Sequence, residues 1–314
     1  MNFNNKKVLV TGGAGFIGSH LVDRLIKEGH KVIVIDNLST GKKENVNKKA
    51  VFYNLDICNF DKIKPLFRNI DFVFHLAALP RVPLSIKDPV NTAKVNILGT
   101  INVFKAACDA RVKRIIFTSS SSVYGNQKKL PLKEDMLPCP ISPYALQKLT
   151  GERFAQLFTE IYKIPIVSLR YFNVYGPRID VKSDYSLVMG KFLKQKKEGK
   201  PLTIFNDGEQ TRGFCYVDDV VQATLKAAKS VKIKGGEVIN IGSEKSQSVN
   251  YLAKLISKKV VYLPPRPGDV RHTQADISLA KELLNWQPKV DLEQGLKKTQ
   301  EWFNNLNKYG RKKI

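Results

Sequence analysis

The first half of the chain alternates short continuous apolar runs with longer amphipathic stretches. KKVLVTGG is an apolar run that ends in glycines, which reads as a strand covered on both faces. KVIVID, VFYNLDI, DFVFHLAA, KRIIFTSS and IPIVSLRYFN repeat the pattern and predict five more strands. Between the first two, AGFIGSHLVDRLIKEGH places Phe16, Ile17, Leu21, Leu25 and Ile26 at helical spacing, and Gly29 closes the helix. Two longer amphipathic helices are expected over about 88–109 and 143–162, the second opened by Ser142-Pro143. Strands alternating with helices over about 170 residues imply right-handed crossovers. The expected architecture is therefore an α/β doubly wound parallel sheet.

After Asn173 the rhythm breaks into Gly- and Pro-rich loops, with helices expected at about 184–198, 218–229, 248–258 and 291–305. That predicts a smaller, mixed C-terminal domain. FCYVDDVVQATLKAAK followed by EVINIG reads as a helix and strand that return to the main sheet. The division expected is 1–172, with 214–242 returning to the sheet, against 173–213 and 243–314. There is no internal repeat and no low-complexity linker, so the two parts are expected to share a cleft.

Composition narrows the picture only a little. At 314 residues, with 43% hydrophobic and 25% charged positions, the chain can bury substantial cores. No apolar run approaches a membrane span, and MNFNNKK passes directly into a strand, so a cytoplasmic protein is expected. Cys58, Cys108, Cys139 and Cys215 have neither CxxC spacing nor histidines at ligand spacing, which predicts idle thiols and no metal. The balance of 52 basic to 28 acidic residues gives a net charge of +24. The lysines are scattered over KKENVNKK, KQKKEGK, KSVKIKGG and the tail and are not interleaved with aromatics, so they read as solvated surface or weak anion steering rather than a nucleic-acid groove.

Thr11-Gly12-Gly13-Ala14-Gly15-Phe16-Ile17-Gly18 supplies the first chemistry. Glycines at 12, 15 and 18 between a strand and a helix permit a tight turn, close approach of a pyrophosphate, and close helix–strand contact. Asp36, at the end of the second strand, can accept hydrogen bonds from an adenosine ribose and would repel a 2′-phosphate, which favours NAD over NADP. The bland alternative is a turn cap in DNLSTG. Asp56, after the third strand, is placed to reach an adenine or to cap its own turn.

Tyr144 and Lys148 stand one turn apart on the helix opened by Ser142. A tyrosine acting as a base near pH 7 needs a shift of roughly 3 pH units, about 4 kcal/mol of phenolate stabilisation. Lys148 and an oxidised nicotinamide would supply two positive charges toward it. A hydroxyl from Ser120, Ser121 or Ser122 could share the proton on a substrate oxygen.

On these residues the chain resembles the extended short-chain dehydrogenase/reductase superfamily, which is Rossmann-like. The motifs TGGAGFIG, Asp36, LDI, HLAA, SSSSVYG, Tyr144-x-x-x-Lys148, RYFNVYGPR and RPGDVRHTQAD span nearly its whole length. Within the superfamily it is most similar to the nucleotide-sugar 4-epimerases, and among these to the UDP-N-acetylglucosamine and UDP-glucose branches. The resemblance implies tightly bound NAD, regenerated each turnover and held by Gly12, Gly15, Phe16, Ile17, Gly18, Asp36, Asn37, Asp56, Ile57, Ala77, Ala78, Asn96, Tyr144, Lys148 and Tyr171. It places the family's catalytic Ser/Thr at Ser120, with Ser121 and Ser122 as neighbours that stay open. Tyr144 would take the proton of a sugar 4-hydroxyl while C4 passes its hydride to NAD, and the 4-keto sugar would turn and be reduced on its other face. The nucleotide anchor implied is Asn173, Leu187, Phe205, Arg212, Arg266 and Asp269, with 173–213 and 243–314 as the nucleotide-sugar domain. Gly213 departs from the Asp common in the family beside that arginine.

The related 4,6-dehydratases carry Asp-Glu where this chain has Ser121 and Ser122, and the decarboxylases usually carry Glu at Ser122. Their absence favours oxidation followed by re-reduction. Thr273 aligns with a position where a large residue restricts the sugar pocket, so a small Thr is expected to admit a 2-acetamido group and a UDP-N-acetylglucosamine/UDP-N-acetylgalactosamine substrate. Rival readings are a UDP-glucuronate 4-epimerase, whose family typically has Thr at Asn173, and a non-catalytic dinucleotide sensor or nucleic-acid binder. The resemblance also implies a homodimer through the two long helices, with Val103, Phe104, Phe154 and Phe158 facing outward or serving as core.

Overall fold

The structure, a computed structural model, describes residues 3–181, 187–265 and 270–310. Seven strands form one parallel sheet: β1 (Lys7–Thr11), β2 (Lys31–Ile35), β3 (Val51–Tyr53), β4 (Phe72–His75), β5 (Arg114–Ser120), β6 (Ile166–Tyr171) and β7 (Val238–Ile241). Their order is β7-β6-β5-β4-β1-β2-β3. The order reverses between β1 and β4, and a doubly wound sheet opens its ligand crevice at the carboxyl ends of the strands at that point. β7 pairs with β6 through Ile239↔Leu169 and Asn240↔Arg170, so EVINIG does rejoin the sheet.

The helices on the two sheet faces are α1 (Phe16–Lys27), α2 (Thr100–Asp109) and α3 (Pro143–Tyr162), followed by α4 (Val188–Lys197), α5 (Val217–Lys229) and α6 (Val249–Ile256). Two more, α7 (Ser278–Leu284) and α8 (Leu292–Gly310), complete the chain. The expected 88–109 helix is capped by Asp88, whose side chain accepts from Asn91 N, and runs through Pro89–Ala93 and a π-helical stretch, Lys94–Gly99, before α2. α3 spans its expected residues, with Ser142 Oγ accepting from Ala145 N and Lys163 closing it in the left-handed conformation. α7 was not expected from the pattern.

One apolar core unites α1, α5 and the C-terminal elements with one face of the sheet. The other lies between the opposite face and α2 and α3. Val103, Phe104 and Phe158 belong to this second core and do not face outward, and Phe154 packs against it half-buried. The large apolar residues that α3 and the helical stretch before α2 leave exposed are Val90, Leu98, Leu146, Leu157, Ile161 and Tyr162. Both faces of these helices carry apolar residues, and periodicity alone does not rank them.

Arg114, at the start of β5, is buried and donates to the carbonyls of Ala227, Ala228, Ser230 and Ile233 at 2.8–3.1 Å. It thereby caps the C-terminus of α5, where a cation is favoured. The C-terminal elements add two small sheets. Thr211–Arg212 pairs with Gln247–Ser248 and His272–Thr273, and Leu202–Phe205 pairs with Val260–Leu263. Among the described residues no helix is long and apolar enough to cross a membrane.

Candidate active site

The crevice at the strand ends is a cavity of about 810 Å³, lined both by the glycine loop and by residues after Asn173. At its floor, Gly12 has φ +74° and lies so close to the segment that follows β4 that a Cβ there would meet Ala77 N at 2.6 Å. A Cβ on Gly18 would meet Gly12 O at 2.1 Å, so the loop folds onto α1 only because both positions lack side chains. Gly15 caps α1 without a side chain, leaving the helix N-terminus with Phe16 and Ile17 at the cavity wall. An N-terminus so exposed suits a pyrophosphate.

Asp36 is buried at the end of β2 and lines the cavity, its carboxylate accepting from Ala14 N at 3.0 Å and Leu38 N at 2.8 Å. The capping role and a ribose-facing role are therefore compatible: two backbone donors orient the oxygens that face the crevice. Asn37 Nδ2 donates to Asp56 Oδ2 at 3.0 Å, and Asp56 Oδ1 also accepts from Cys58 N. Ile57, Ala77, Ala78 and Tyr171 line the same space. This cradle fits a dinucleotide with a free adenosine ribose. Asn96 is placed differently. It is buried behind the wall, bonded to Leu79 N, Leu79 O and Gln147, and does not reach the cavity surface.

Tyr144, Lys148 and all three serines 120–122 line the cavity. Both members of the helical pair are buried, at 8% and 3% exposure, which removes the solvent that would screen their charges. The Lys148 ammonium donates to Thr118 O at 2.8 Å and sits 5.0 Å from the Phe117 ring centroid. Burial pulls its pKa down to about 7, opposed by the negative charge of Glu152. Burial raises the Tyr144 phenol, and a hydrogen bond with Ser120 and the charge of Arg81 pull it back down. Ser120 is thus the serine that engages Tyr144. Its Oγ also accepts from Ser122 N at 3.2 Å and Ser122 Oγ at 2.9 Å. Tyr144 N donates to Ser85 Oγ at 3.0 Å, tying the start of α3 to the short helix Val82–Lys87.

His75 is fully buried between Thr11 and Thr100. Because the Thr100 hydroxyl donates to Asn96 O, the imidazole Nε2 donates to Thr100. Burial drives its pKa to about 3, so it is a neutral packing residue. Among the described residues no cluster of His, Cys, Asp or Glu could hold a metal.

At the other end of the cavity Asn173 Nδ2 donates to Thr273 Oγ1 at 2.9 Å, and Thr273 is buried at 7% exposure. Leu187, Phe205 and Arg212 line this end. The Arg212 guanidinium donates to Thr211 O and Arg271 O, while Gly213 N donates to Thr273 O at 2.8 Å. The anchor residues Arg266 and Asp269 fall outside the described residues.

Four cavity residues went unread in the sequence. Arg81 lines the cavity and pairs with Asp180, also on the wall, at 3.3 Å. Arg178, beside them, pairs with Asp23 on α1 at 2.8 Å, and Gln210 holds Phe205 O at 2.9 Å. Arg178 lies within RYFNVYGPR and Arg81 three residues beyond HLAA, but nothing local marked them as wall residues.

The model of the NAD dependent epimerase/dehydratase family matches residues 8–242. A UDP-glucose 4-epimerase from Thermotoga maritima, solved with UDP-glucose, is 43% identical over 96% of this chain and 99% of its own, with a TM-score of 0.92. A UDP-N-acetylglucosamine 4-epimerase from Methanobrevibacter ruminantium M1, solved with UDP-N-acetylmuramic acid, is 40% identical over 97% and 100%, also with a TM-score of 0.92. A UDP-glucuronic acid 4-epimerase from Bacillus cereus, solved with UDP-glucuronic acid and NAD, is 39% identical over 96% and 99%, with a TM-score of 0.88.

Proposed function

The chain belongs to the NAD dependent epimerase/dehydratase family, and from that premise we propose that it is a UDP-sugar 4-epimerase favouring UDP-N-acetylglucosamine and UDP-N-acetylgalactosamine. The observation that carries the reaction type is one cavity holding Ser120, Tyr144 and Lys148 with the glycine loop, and with Ser121 and Ser122 where an eliminating enzyme would need acids. The residues 1–172 with 214–242 serve the dinucleotide, and 173–213 with 243–314 serve the nucleotide-sugar.

NAD, held by the glycine loop and Asp36, would supply a reversible hydride acceptor for C4. Tyr144, as phenolate, takes the proton of the 4-hydroxyl and gives it back after the sugar has turned. Ser120 hydrogen-bonds the phenol and lowers its pKa, so it is placed to share that proton. Lys148, held against Thr118 O, adds positive charge beside the phenolate in a site closed to water. Arg212, with Arg266, binds the diphosphate, for which a guanidinium fork is suited. Asn173, Leu187, Phe205 and Asp269 fix the uridine. The small Thr273 leaves room for the acetamido group.

A UDP-glucuronate 4-epimerase is the second reading, and Arg81 favours it by placing a cation near Tyr144. Asp180 already pairs with that cation, which supports the neutral sugar instead. The exposed Leu98, Leu146, Leu157 and Ile161 support a homodimer through the two long helices. Four free cysteines suit a reducing, cytoplasmic setting.

The test is to incubate the purified protein, without added NAD, with UDP-N-acetylglucosamine, UDP-glucose and UDP-glucuronate and to separate the products. Interconversion of the acetamido pair is expected to be fastest. Turnover of UDP-glucose or UDP-glucuronate with UDP-N-acetylglucosamine left untouched would overturn the substrate assignment.

A further inference from the structure

Glu152 lies one turn beyond Lys148 on the face of α3 that also carries Tyr144, and it is 1% exposed. Its Oε1 accepts from Ser119 Oγ at 2.5 Å and from Arg170 Nε at 2.9 Å, and its Oε2 accepts from Arg170 Nη2 at 2.7 Å. Ser119 and Arg170 are register partners on β5 and β6, so one carboxylate ties α3 to the ends of two adjacent strands. The residues flanking Ser119 are the ones the reaction uses: Thr118 O receives Lys148, and Ser120 engages Tyr144.

We propose that Glu152 is a positioning residue, whose carboxylate seats β5 against α3 so that Lys148 and Ser120 flank Tyr144, and whose charge keeps Lys148 in its ammonium form. This rests on the reading above that Tyr144 acts as the base. The charges facing Lys148 leave little else to do it. On α3 they are Tyr144 and Glu152. From β4 comes His75, which is neutral, and from β6 comes Arg170, a like charge, while Arg81, at the N-cap of the helix Val82–Lys87, is a second like charge toward Tyr144. Burial alone pulls Lys148 toward the neutral amine, and Glu152 is the group that opposes it.

Lysine-selective nitrogen labelling reads this directly, with the Lys148 signal assigned by its loss in Lys148→Met. In Glu152→Gln the titration midpoint of Lys148 is expected to fall by one pH unit or more. Glu152→Asp, which keeps the charge, is expected to stay within about half a unit of the parent. The alkaline limb of the kcat–pH profile should move down with the midpoint, while KM stays within about threefold. A midpoint unchanged in Glu152→Gln overturns the proposal. If that variant fails to fold around the orphaned Arg170, the double variant Glu152→Met with Arg170→Met removes both buried charges; losing the like charge of Arg170 offsets part of the effect, so a smaller fall, of about half a unit or more, is required of it. The NMR midpoint needs no substrate, so a parent inactive on every UDP-sugar would sink the assigned function, while the midpoint still decides the charge linkage between Glu152 and Lys148.

Discussion

Replacing Lys148 with Met should make the protein more stable and far less active. Tyr144 and Lys148 are one helical turn apart, so their side chains approach to about 5–6 Å. At that distance and an effective dielectric near 20, a unit charge favours the phenolate by about 3 kcal/mol, or about two pH units. Without it the acid limb of the kcat profile moves up by about two units, kcat at pH 7 falls about 100-fold, and part of the rate returns at high pH. Stability moves the other way. The folded protein holds Lys148 at about 7 instead of 10.5, a difference of 3.5 units that costs about 5 kcal/mol when the amine must be charged. Below about pH 7 the lysine is protonated in both states and the cost is complete. Between 7 and 10.5 only the unfolded chain keeps the proton, so the stability of the parent rises with pH across that window. Met removes the cost but forfeits the bond to Thr118 O, about 1–2 kcal/mol. The net gain at pH 6 is about 3 kcal/mol, or about 4–5 °C in midpoint for a chain of this length. Differential scanning calorimetry at pH 6 and pH 9 together with kcat from pH 5.5 to 10 checks both. A variant less stable than the parent at pH 6, or one with kcat at pH 7 within threefold of it, refutes the reasoning.

Thr273→Tyr should fill the sugar end and orphan Asn173, penalising the acetamido substrate by about 1–3 kcal/mol as overpacking. The ratio of kcat/KM for UDP-N-acetylglucosamine over UDP-glucose should fall at least fivefold, and an unchanged ratio removes Thr273 from specificity. Gly18→Ala puts a methyl 2.1 Å from Gly12 O, so the loop must shift. NAD affinity measured by calorimetry should weaken at least tenfold, and unaltered affinity would mean that the loop does not hold the pyrophosphate. Arg114→Met keeps the bulk but abandons four carbonyls at the end of α5. A loss of about 3–4 kcal/mol in urea unfolding is expected with kcat within twofold, since the residue lies far from the cavity wall in the fold.

β3, at the sheet edge and only half-buried, was readable from VFY alone. Most of the strands up to Tyr171 were readable because a parallel strand buried on both faces is one apolar run. β7 was readable for the same reason, which is why EVINIG could be sent back to the sheet from 67 positions beyond β6. What periodicity could not do was rank two apolar stripes on one helix. Val103, Phe104 and Phe158 face the sheet, while Leu98, Leu146, Leu157 and Ile161 face away, so both faces of these helices carry apolar residues. α7 escaped because its seven residues sit behind Ile277, with no side-chain cap to announce a start. The glycine loop and the Tyr144–Lys148 pair were legible because their chemistry is local in sequence. Arg81 and Asp180 are 99 positions apart, and only the folded wall brings them together.

The charge excess of the chain and the charge in its site are separate matters. Most of the +24 is scattered over exposed lysines, where water screens it. Among the described residues the buried Lys and Arg side chains are Arg114, Arg170 and Lys148, and each is compensated differently. Arg114 spends its donors on the carbonyls that end α5, and Arg170 has a two-toothed carboxylate in Glu152. Lys148 has one carbonyl, and shares through a helical turn the carboxylate already committed to Arg170. Burial outweighs the partners of both Arg114 and Lys148, but a guanidinium starts high enough to keep its charge, whereas Lys148 is drawn to about 7, toward neutrality at physiological pH. That incomplete compensation is what a site needs: a cation fully neutralised by its own ion pair would have no field left to offer the Tyr144 phenolate, whereas one uncompensated altogether would lose its proton. On this account Glu152 must stay near Lys148 without bonding it, and any variant that let the carboxylate swing onto the ammonium, such as Arg170→Leu, should raise the Lys148 midpoint and lower kcat together.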